Sequence, residues 1–420
     1  MIVRRRWLAA GWSVLVAYSA LHFVFSALVA GWRMLGGDVL SAFPGPLTVR
    51  VSRLWPWGAK PWIETEMARN GAPGIWNYGP VLHVVTLPFG LAASLSQAMH
   101  GILVADLVLV IATVLLWIEL LWPGRRNVAA ALVIVCVWMN HFPLLEAITG
   151  REIELLELFL ITVGVWALRR DRQTIAGAAF GVAALTKFLP AIFIPYLFVK
   201  GYRKAGWAAA LIAAVIALVT QPLLGWQNSV TLALARTEQT GASFPAAYAN
   251  QGITNVLYKI FTVFNINEPR PATLYPEPLR VIGGLLSLAV LLATAWFIVR
   301  QRRSRLIEIE CALLAIVMCL VVTHANTYYF VFVLPALSIG VAALWQQPPA
   351  LSNAAKGALA GAITLSGFMM PMAVFAYVSG IQSLLVSRVL QAWSLPAFGA
   401  VLAAGLMVEL HRVARARELD

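Results

Sequence analysis

The chain has 420 residues, of which 60% are hydrophobic and 12% are charged, and its formal net charge is +13. A water-soluble domain of this length needs more polar surface, so the composition excludes one and indicates an all-α polytopic membrane protein. The basic residues stand in short clusters between apolar runs. This pattern is typical of cytoplasmic loops beside anionic lipid and not of a nucleic-acid-binding surface.

The first apolar run covers residues 7–31 and follows Arg4-Arg5-Arg6. No small-residue cleavage signal ends this run, so it predicts a retained span with a cytoplasmic N-terminus rather than a signal peptide. The predicted first external loop, 33–77, comes next and is rich in Trp, Pro and Gly. Polar loops of this length are commonly functional, so we expect this one to be catalytic.

Three acids of this loop, Asp38, Glu64 and Glu66, are candidates for a general base. Base catalysis at a membrane surface needs a carboxylate fixed near the bilayer boundary. Each acid also fits a simpler role as a charge that ends or opens a short helix. The segment closes with Trp76-Asn77-Tyr78-Gly79-Pro80.

Twelve further apolar runs are candidate spans, which predicts about 11–13 helices in a single integral-membrane domain, residues 1–420. They lie near 79–96, 98–122, 128–145, 154–168, 174–187, 189–200, 206–225, 279–299, 308–323, 328–346, 355–378 and 387–408.

The basic clusters between these runs set the predicted topology. They place the tail 411–420 in the cytoplasm and five loops outside: 33–77, 146–153, 226–278, 324–327 and 379–387. In this topology the region 78–122 begins outside and ends in the cytoplasm, so its net passage is a single crossing. One of its two apolar runs is therefore interfacial or re-entrant, or else Arg125-Arg126 lies outside.

Lys187 is a cation within an otherwise apolar segment that is broken by Pro190 and Pro195. An ionisable residue in such a place is costly and by default a functional hypothesis. Lys187 either contacts a lipid-borne phosphate or extends its ammonium to the headgroups. Gly177 and Gly181, four residues apart, predict a small-residue face against which a neighbouring helix packs closely.

Two external segments carry further polar candidates. His324, followed by Tyr328 and Tyr329, can contact a phosphate or move a proton, or these residues belong to an interfacial aromatic belt. Asn250 and Gln251 in the large loop 226–278, where we expect short helices, can bind sugar hydroxyls through their amides, or else they cap a short helix.

A redox, metal or nucleotide cofactor is not predicted. Cys136, Cys311 and Cys319 all lie in apolar runs, which indicates reduced structural thiols. The sequence has no HExxH spacing, no dense acidic cluster and no Gly-rich phosphate loop, so neither a resident metal nor ATP-driven transport is expected.

Taken in chain order, these pieces resemble the integral-membrane glycosyltransferases of the GT-C class, and most of all family GT87, with its mannosyltransferases of actinobacterial lipid glycans. The matching residues are Tyr78-Gly79-Pro80, Gly150 through Glu154, Gly177 through Pro190 with Lys187, Asn250-Gln251, and His324 through Pro335. Gly79 and Arg151-Glu152 stand where that family tends to have Pro and Gln. Its late His-rich motif falls on Tyr328-Tyr329 rather than on His324.

The resemblance implies a GT-C-like architecture in a bacterial plasma membrane, with an extracytoplasmic active site. It implies transfer of a mannose-like hexose from a polyprenyl phosphate monosaccharide to a lipid or glycan acceptor. Asp38 would be the general base, with Glu64 and Glu66 in reserve. The implied donor-phosphate ligands are Lys187, His324, Tyr328 and Tyr329, and the implied substrate ligands are Tyr78, Glu152, Asn250 and Gln251.

Two other classes of function remain open from the residues. A transporter or flippase of a lipid-linked sugar would use Asp106 and Lys187 as intramembrane charges. A scaffold subunit of an envelope-assembly complex would not bring the external carboxylates, Lys187 and His324 together.

Overall fold

The computed structural model describes residues 2–24, 81, 85, 95–123, 127–150, 152–224, 250–261, 277–302, 304, 306–322, 325–346, 351–368 and 394–419. These residues contain fourteen α-helices and no β-strand, which confirms the predicted all-α fold. Five helices are long and apolar enough to cross a membrane, and a bent pair of helices supplies a sixth candidate.

The first half of the chain forms eight helices. They are α1 (Ile2–Phe23), α2 (Leu95–Leu121), α3 (Val128–Met139), α4 (Phe142–Gly150), α5 (Glu154–Arg169), α6 (Gln173–Ala184), α7 (Phe193–Val199) and α8 (Arg203–Leu224). A 3₁₀ turn, Leu189–Ile192, precedes α7. Helices α3 and α4 are bent by 59° relative to each other and together make the sixth candidate span.

The second half forms six helices. They are α9 (Ile253–Phe261), α10 (Glu277–Arg300), α11 (Ile307–Val321), α12 (Leu334–Gln346), α13 (Asn353–Ile363) and α14 (Leu395–Leu419). A 3₁₀ segment, Thr327–Val333, leads into α12, and a π-helical turn, Thr364–Phe368, follows α13.

Side-chain contacts show which helix ends lie together. The Trp117 indole donates to the Thr162 hydroxyl at 3.0 Å, and Glu119 accepts from Trp166 and pairs with Arg170. Helices α2 and α5 therefore run in the same direction. Their C-terminal ends lie at the end of the bundle that we call the basic end, which also contains Arg169 and Lys200.

Helix α2 contains one candidate span of the region 78–122. The other apolar run there, 79–96, lies mostly outside the described residues. Whether that run is interfacial or re-entrant therefore stays a prediction.

Helices α6 and α7 form a hairpin rather than the two separate spans expected from the sequence. Helix α6 begins at the basic end. Lys200, just after α7, lies at the same end, as its hydrogen bond to the Gln301 carbonyl at 2.8 Å shows. Twelve residues of α6 rise about 18 Å, which is too short for a hydrocarbon core of about 30 Å. The turn of the hairpin therefore lies inside the bundle.

The glycine face predicted on α6 is confirmed. A Cβ atom added at Gly177 would overlap the Ala205 carbonyl oxygen, and one at Gly181 would lie 2.6 Å from the Ala209 carbonyl oxygen. Helix α8 thus packs directly against α6 because these two positions lack side chains. The position of the hairpin depends on this close contact.

The core surrounds α11, whose residues from Ile309 to Leu320 are all buried. Helices α8 and α10 stand at the periphery and expose large apolar side chains, among them Trp207, Leu211, Leu285 and Leu292. Apolar side chains on the outside of a helical bundle face lipid, so the burial pattern agrees with a multi-pass membrane protein.

Candidate functional site

The turn of the α6–α7 hairpin carries Lys187. The next residue, Phe188, has φ +64°, a left-handed conformation that costs energy for a residue with a Cβ atom. Pro190 then fixes the start of the 3₁₀ turn. Strained backbone of this kind persists where the surrounding structure holds it, and it occurs often at functional sites.

Lys187 is buried in an ion pair. Its ammonium lies 2.5 Å from Glu154 Oε1, and the two side chains are 2% and 0% exposed. Of the two alternatives for Lys187, extension to the headgroups is therefore contradicted, because the charge ends on a carboxylate inside the protein. Helix α5 rises about 22 Å from Arg169 to Glu154, which places this pair deep in the bundle.

Two aromatic rings cover the Lys187 ammonium. It lies 4.7 Å from the centre of the Tyr329 ring and 5.4 Å from that of Tyr328. The rings stack on each other with their centres 5.3 Å apart. The structure thus brings Lys187, Tyr328 and Tyr329 together, as expected, through a cation–π contact.

Carboxylates outnumber cations around Lys187. Glu157 accepts a hydrogen bond from the Thr186 hydroxyl, and Glu152 and Glu146 lie near enough to influence one another. Burial and the charges of Glu154 and Glu146 raise the pKa of Glu152 to about 8, although Lys187 acts in the opposite direction. We call Lys187, Glu146, Glu152, Glu154, Glu157, Tyr328 and Tyr329 the glutamate centre.

The glutamate centre keeps unused acceptor atoms. Oε2 of Glu154 and Oε2 of Glu157 are buried and have no hydrogen-bond partner among the described residues. Buried polar atoms are normally paired, so each of these two oxygens needs an explanation, and a hydrogen bond from a ligand is one. Within the same residues, no group of three His, Cys, Asp or Glu side chains is arranged to hold a metal ion.

A second group of polar residues begins at Asn250. Its side-chain oxygen accepts from the backbone amides of Gly252 and Ala325, both at 3.1 Å, and its backbone bridges to Asn326. This side-chain oxygen caps the turn before α9. The contact agrees with the helix-capping alternative given for Asn250 from the sequence. Gln251 is completely buried, and its backbone amide donates to the Ala325 carbonyl at 2.6 Å.

Lys259 of α9 joins this group, although sequence reasoning missed it. Its ammonium donates to the Asn250 carbonyl at 2.7 Å and to the Ser394 hydroxyl at 3.3 Å. Burial lowers the pKa of Lys259 to about 7. The only sequence signal was a lone cation on an amphipathic helix. We call Asn250, Asn255, Lys259, Asn326 and Ser394 the amide centre.

The amide centre touches the glutamate centre. The Asn326 side-chain amide donates to the Tyr328 hydroxyl at 2.8 Å, and the Tyr328 ring covers Lys187. The two buried lysines, Lys187 and Lys259, therefore lie at opposite ends of a short chain of polar contacts. Five predicted site residues, Asp38, Glu64, Glu66, Tyr78 and His324, lie outside the described residues.

The fold and this site define an integral-membrane protein with ionisable side chains buried among its helices. The model of Glycosyltransferase family 87 matches residues 76–323, which is more than half of the chain. The chain therefore belongs to glycosyltransferase family 87 and is a membrane glycosyltransferase. Comparisons with curated proteins and with solved structures gave no match.

Proposed function

We propose that the protein transfers a mannose-like hexose from a polyprenyl phosphate monosaccharide to a lipid or glycan acceptor outside the bacterial plasma membrane. A glycosyl phosphate is already an activated donor, so this reaction needs no nucleotide at the protein. The observation that carries the proposal is the surplus of acceptor atoms in the glutamate centre of a family 87 chain.

Sugar hydroxyls suit this surplus. A sugar hydroxyl can donate to a carboxyl oxygen, and Glu154 and Glu157 each hold one buried oxygen without a partner among the described residues. Tyr328 and Tyr329 add aromatic faces beside them. Glu152 and Gln251 remain proposed substrate ligands, as does Tyr78.

The proposed chemistry is a single displacement at the anomeric carbon. Asp38 takes the proton of the acceptor hydroxyl while the acceptor oxygen bonds to that carbon. The bond between the anomeric carbon and the phosphate oxygen breaks, and polyprenyl phosphate leaves with both bonding electrons. A cation near that oxygen stabilises the charge that develops. Lys187 and His324 were predicted for this role from the sequence.

The test is transfer from a radiolabelled polyprenyl phosphate sugar by the purified protein in liposomes. Wild type should glycosylate a lipid acceptor, and Asp38→Asn should lower the rate by roughly 10²–10⁴, the range attributed to a general base. Glu64→Gln and Glu66→Gln are matched controls that should keep most of the activity. Full activity of Asp38→Asn would refute the base assignment.

The alternative is a transporter or flippase of a lipid-linked sugar. Asp106 favours it because this acid is buried in α2, within a candidate span. Movement of the labelled lipid across the liposome membrane without any glycosylated product, abolished by Asp106→Asn, would establish the transporter and end the enzyme proposal.

A further inference from the structure

Two peripheral helices, α8 and α10, present the same order of side chains to their surroundings. Read from the basic end, each helix has an exposed arginine, tryptophan and leucine four residues apart: Arg203, Trp207 and Leu211 on α8, and Arg300, Trp296 and Leu292 on α10. The two tryptophans and two leucines are 60–68% exposed. Four helical residues rise about 6 Å, so equivalent side chains lie at similar depths on both helices.

Helix α7 joins these two helices at the basic end. The Phe198 ring of α7 meets the Trp207 ring of α8 edge to face, with their centres 5.2 Å apart. Lys200, just after α7, donates to the carbonyl of Gln301, just after α10. The start of α8 and the end of α10 are therefore held at one place. Val199 of α7 is exposed there as well.

Positive charge is concentrated where the three helices meet. Four exposed cations stand at the start of α8 and the end of α10: Arg203, Lys204, Arg300 and Arg302. Within the described part of the chain, none of the four forms an ion pair, whereas Arg169 and Arg170 at the same end pair with Glu308 and Glu119. The N-terminal end of α8 adds positive potential. These charges favour an anion.

The tryptophans indicate how deep the anion lies. Exposed tryptophans of membrane proteins prefer the headgroup level, and the Trp296 ring lies 5.2 Å from the guanidinium carbon of Arg300. The cations stand one turn further out and the leucines one turn further in, over about 12 Å in all. A ligand that fits this order has a phosphate at the cations, a polar boundary at the tryptophans and an apolar chain along the leucines.

The same charges disfavour a second copy of the chain as the partner. Two copies that packed these faces together through a two-fold axis would bring their cations towards one another. Like charges brought together across an interface are costly. An anionic lipid instead complements both the cations and the apolar side chains below them.

We propose that the surface where α7, α8 and α10 meet at the basic end binds an anionic phospholipid of the membrane. Its phosphate contacts the four cations, and its acyl chains lie along the exposed faces of α8 and α10. Basic sites between membrane helices are known to take such headgroups. The site lies at the other end of the hairpin from Lys187, and a bound lipid would hold α8 to α10 beside the end of α7.

The first test uses the wild-type protein in nanodiscs of phosphatidylcholine. Phosphatidylglycerol with a diazirine in its acyl chain is added as a minor component, and its crosslinks are mapped by mass spectrometry. It should label 207–211 and 292–296 at least about 5-fold more than phosphatidylcholine with the same diazirine chain, because each nearby cation favours the anionic headgroup. Equal labelling by the two lipids would overturn the inference.

The second test removes the charge. The fourfold variant replaces the proposed ligands: Arg203→Gln, Lys204→Gln, Arg300→Gln and Arg302→Gln. Phosphatidylglycerol should then label no more than phosphatidylcholine does, and the melting temperature should change little because the four side chains are exposed. The matched control, Arg170→Gln/Arg172→Gln beside Trp166 at the same end, should stay within about 2-fold of wild type. An equal loss in the control would show that the lipid gathers around the whole basic end, and would overturn the site.

Two further measurements separate this lipid from other occupants. Unlabelled phosphatidylglycerol should reduce the crosslinking more than undecaprenyl phosphate does at equal phosphate concentration. Stronger competition by undecaprenyl phosphate would assign the site to that lipid and overturn the inference. Native mass spectrometry should show a monomer that retains phosphatidylglycerol. A dimer that forms only when phosphatidylglycerol is removed, and in which α8 and α10 crosslink between copies, would also overturn it.

Discussion

The α6–α7 hairpin carries two buried lysines, and each of them pairs with a glutamate. The two ion pairs differ in the groups that surround the glutamate. Lys187, in the turn, pairs with Glu154 and has surplus carboxylates around it. Lys200, at the basic end, pairs with Glu310 at 2.8 Å. Both pairs are almost completely buried, so the two pairs do not differ in their exposure to solvent.

The Glu310 carboxylate is satisfied on both oxygens. Oε1 accepts from Lys200 and lies 3.2 Å from Nε2 of His411, and Oε2 accepts from the Tyr196 hydroxyl at 2.9 Å. This group joins α7, α11 and α14 at the basic end. The Lys187 pair instead keeps Oε2 of Glu154 without a partner among the described residues.

The difference separates structure from function within one hairpin. A buried ionic group with every acceptor paired holds helices in place and offers nothing to a ligand. A buried group with unused acceptors carries a desolvation cost that a ligand can offset. The Lys200 group is therefore a structural connection, and the Lys187 group is the place where we propose that a substrate binds.

The largest expected effect is on stability at the basic end. Glu310→Leu removes the partner of Lys200 and leaves a buried cation unpaired, so the free energy of unfolding should fall by about 3–5 kcal/mol. The melting temperature in detergent, read by intrinsic fluorescence, measures the change. Glu308→Gln is the control, because Glu308 pairs with a largely exposed Arg169 and should cost less than about 1 kcal/mol.

At the glutamate centre the expected effect is on activity. Glu157→Gln keeps the shape and an acceptor for the Thr186 hydroxyl, so stability should change by less than about 1 kcal/mol. The transfer rate should fall about 10²-fold because the amide nitrogen that replaces Oε2 cannot accept a hydrogen bond from a sugar hydroxyl. Rates and melting temperatures of the same preparations measure both. A variant that melts early and transfers normally would reverse the comparison.

A substitution in α6 should disturb both lysines, since both belong to the hairpin. Gly177→Ala introduces a Cβ atom that overlaps the Ala205 carbonyl, and such overpacking costs roughly 1–3 kcal/mol. Gly357→Ala is the control because nothing lies within 4 Å of its added Cβ atom, and alanine favours a helix by up to about 1 kcal/mol. Thermal melts should show opposite signs for the two variants.

The last expected effect is gradual and concerns pH. The pKa of Glu152 is about 8 in the folded protein and near 4.5 in the unfolded chain, so the folded state holds the extra proton between these values. Stability should therefore fall as pH rises from about 5 to about 8, by at most about 1.4 kcal/mol per pH unit. Melting temperatures across this range should show the slope, and Glu152→Gln should flatten it. A slope that Glu152→Gln leaves unchanged would assign it to other groups.

The apolar runs and basic clusters were enough to predict the helical membrane fold, and the spacing of Gly177 and Gly181 was enough to predict a close helix contact. The resemblance to family GT87 also grouped Lys187 with Tyr328 and Tyr329. The hairpin of α6 and α7 was not predicted, because two short apolar helices look like two spans until the contacts of Lys200 show where the second one ends.

By itself, the sequence determined the class of the protein, since the hydrophobic surplus leaves lipid as the only solvent for most of its surface. It also determined which residue types carry charge among the apolar helices. Only the tertiary structure decided the balance of those charges. Glu154 and Lys187 are 33 residues apart, and Glu310 and Lys200 are 110 apart, so packing of distant segments decides which lysine pairs with which carboxylate.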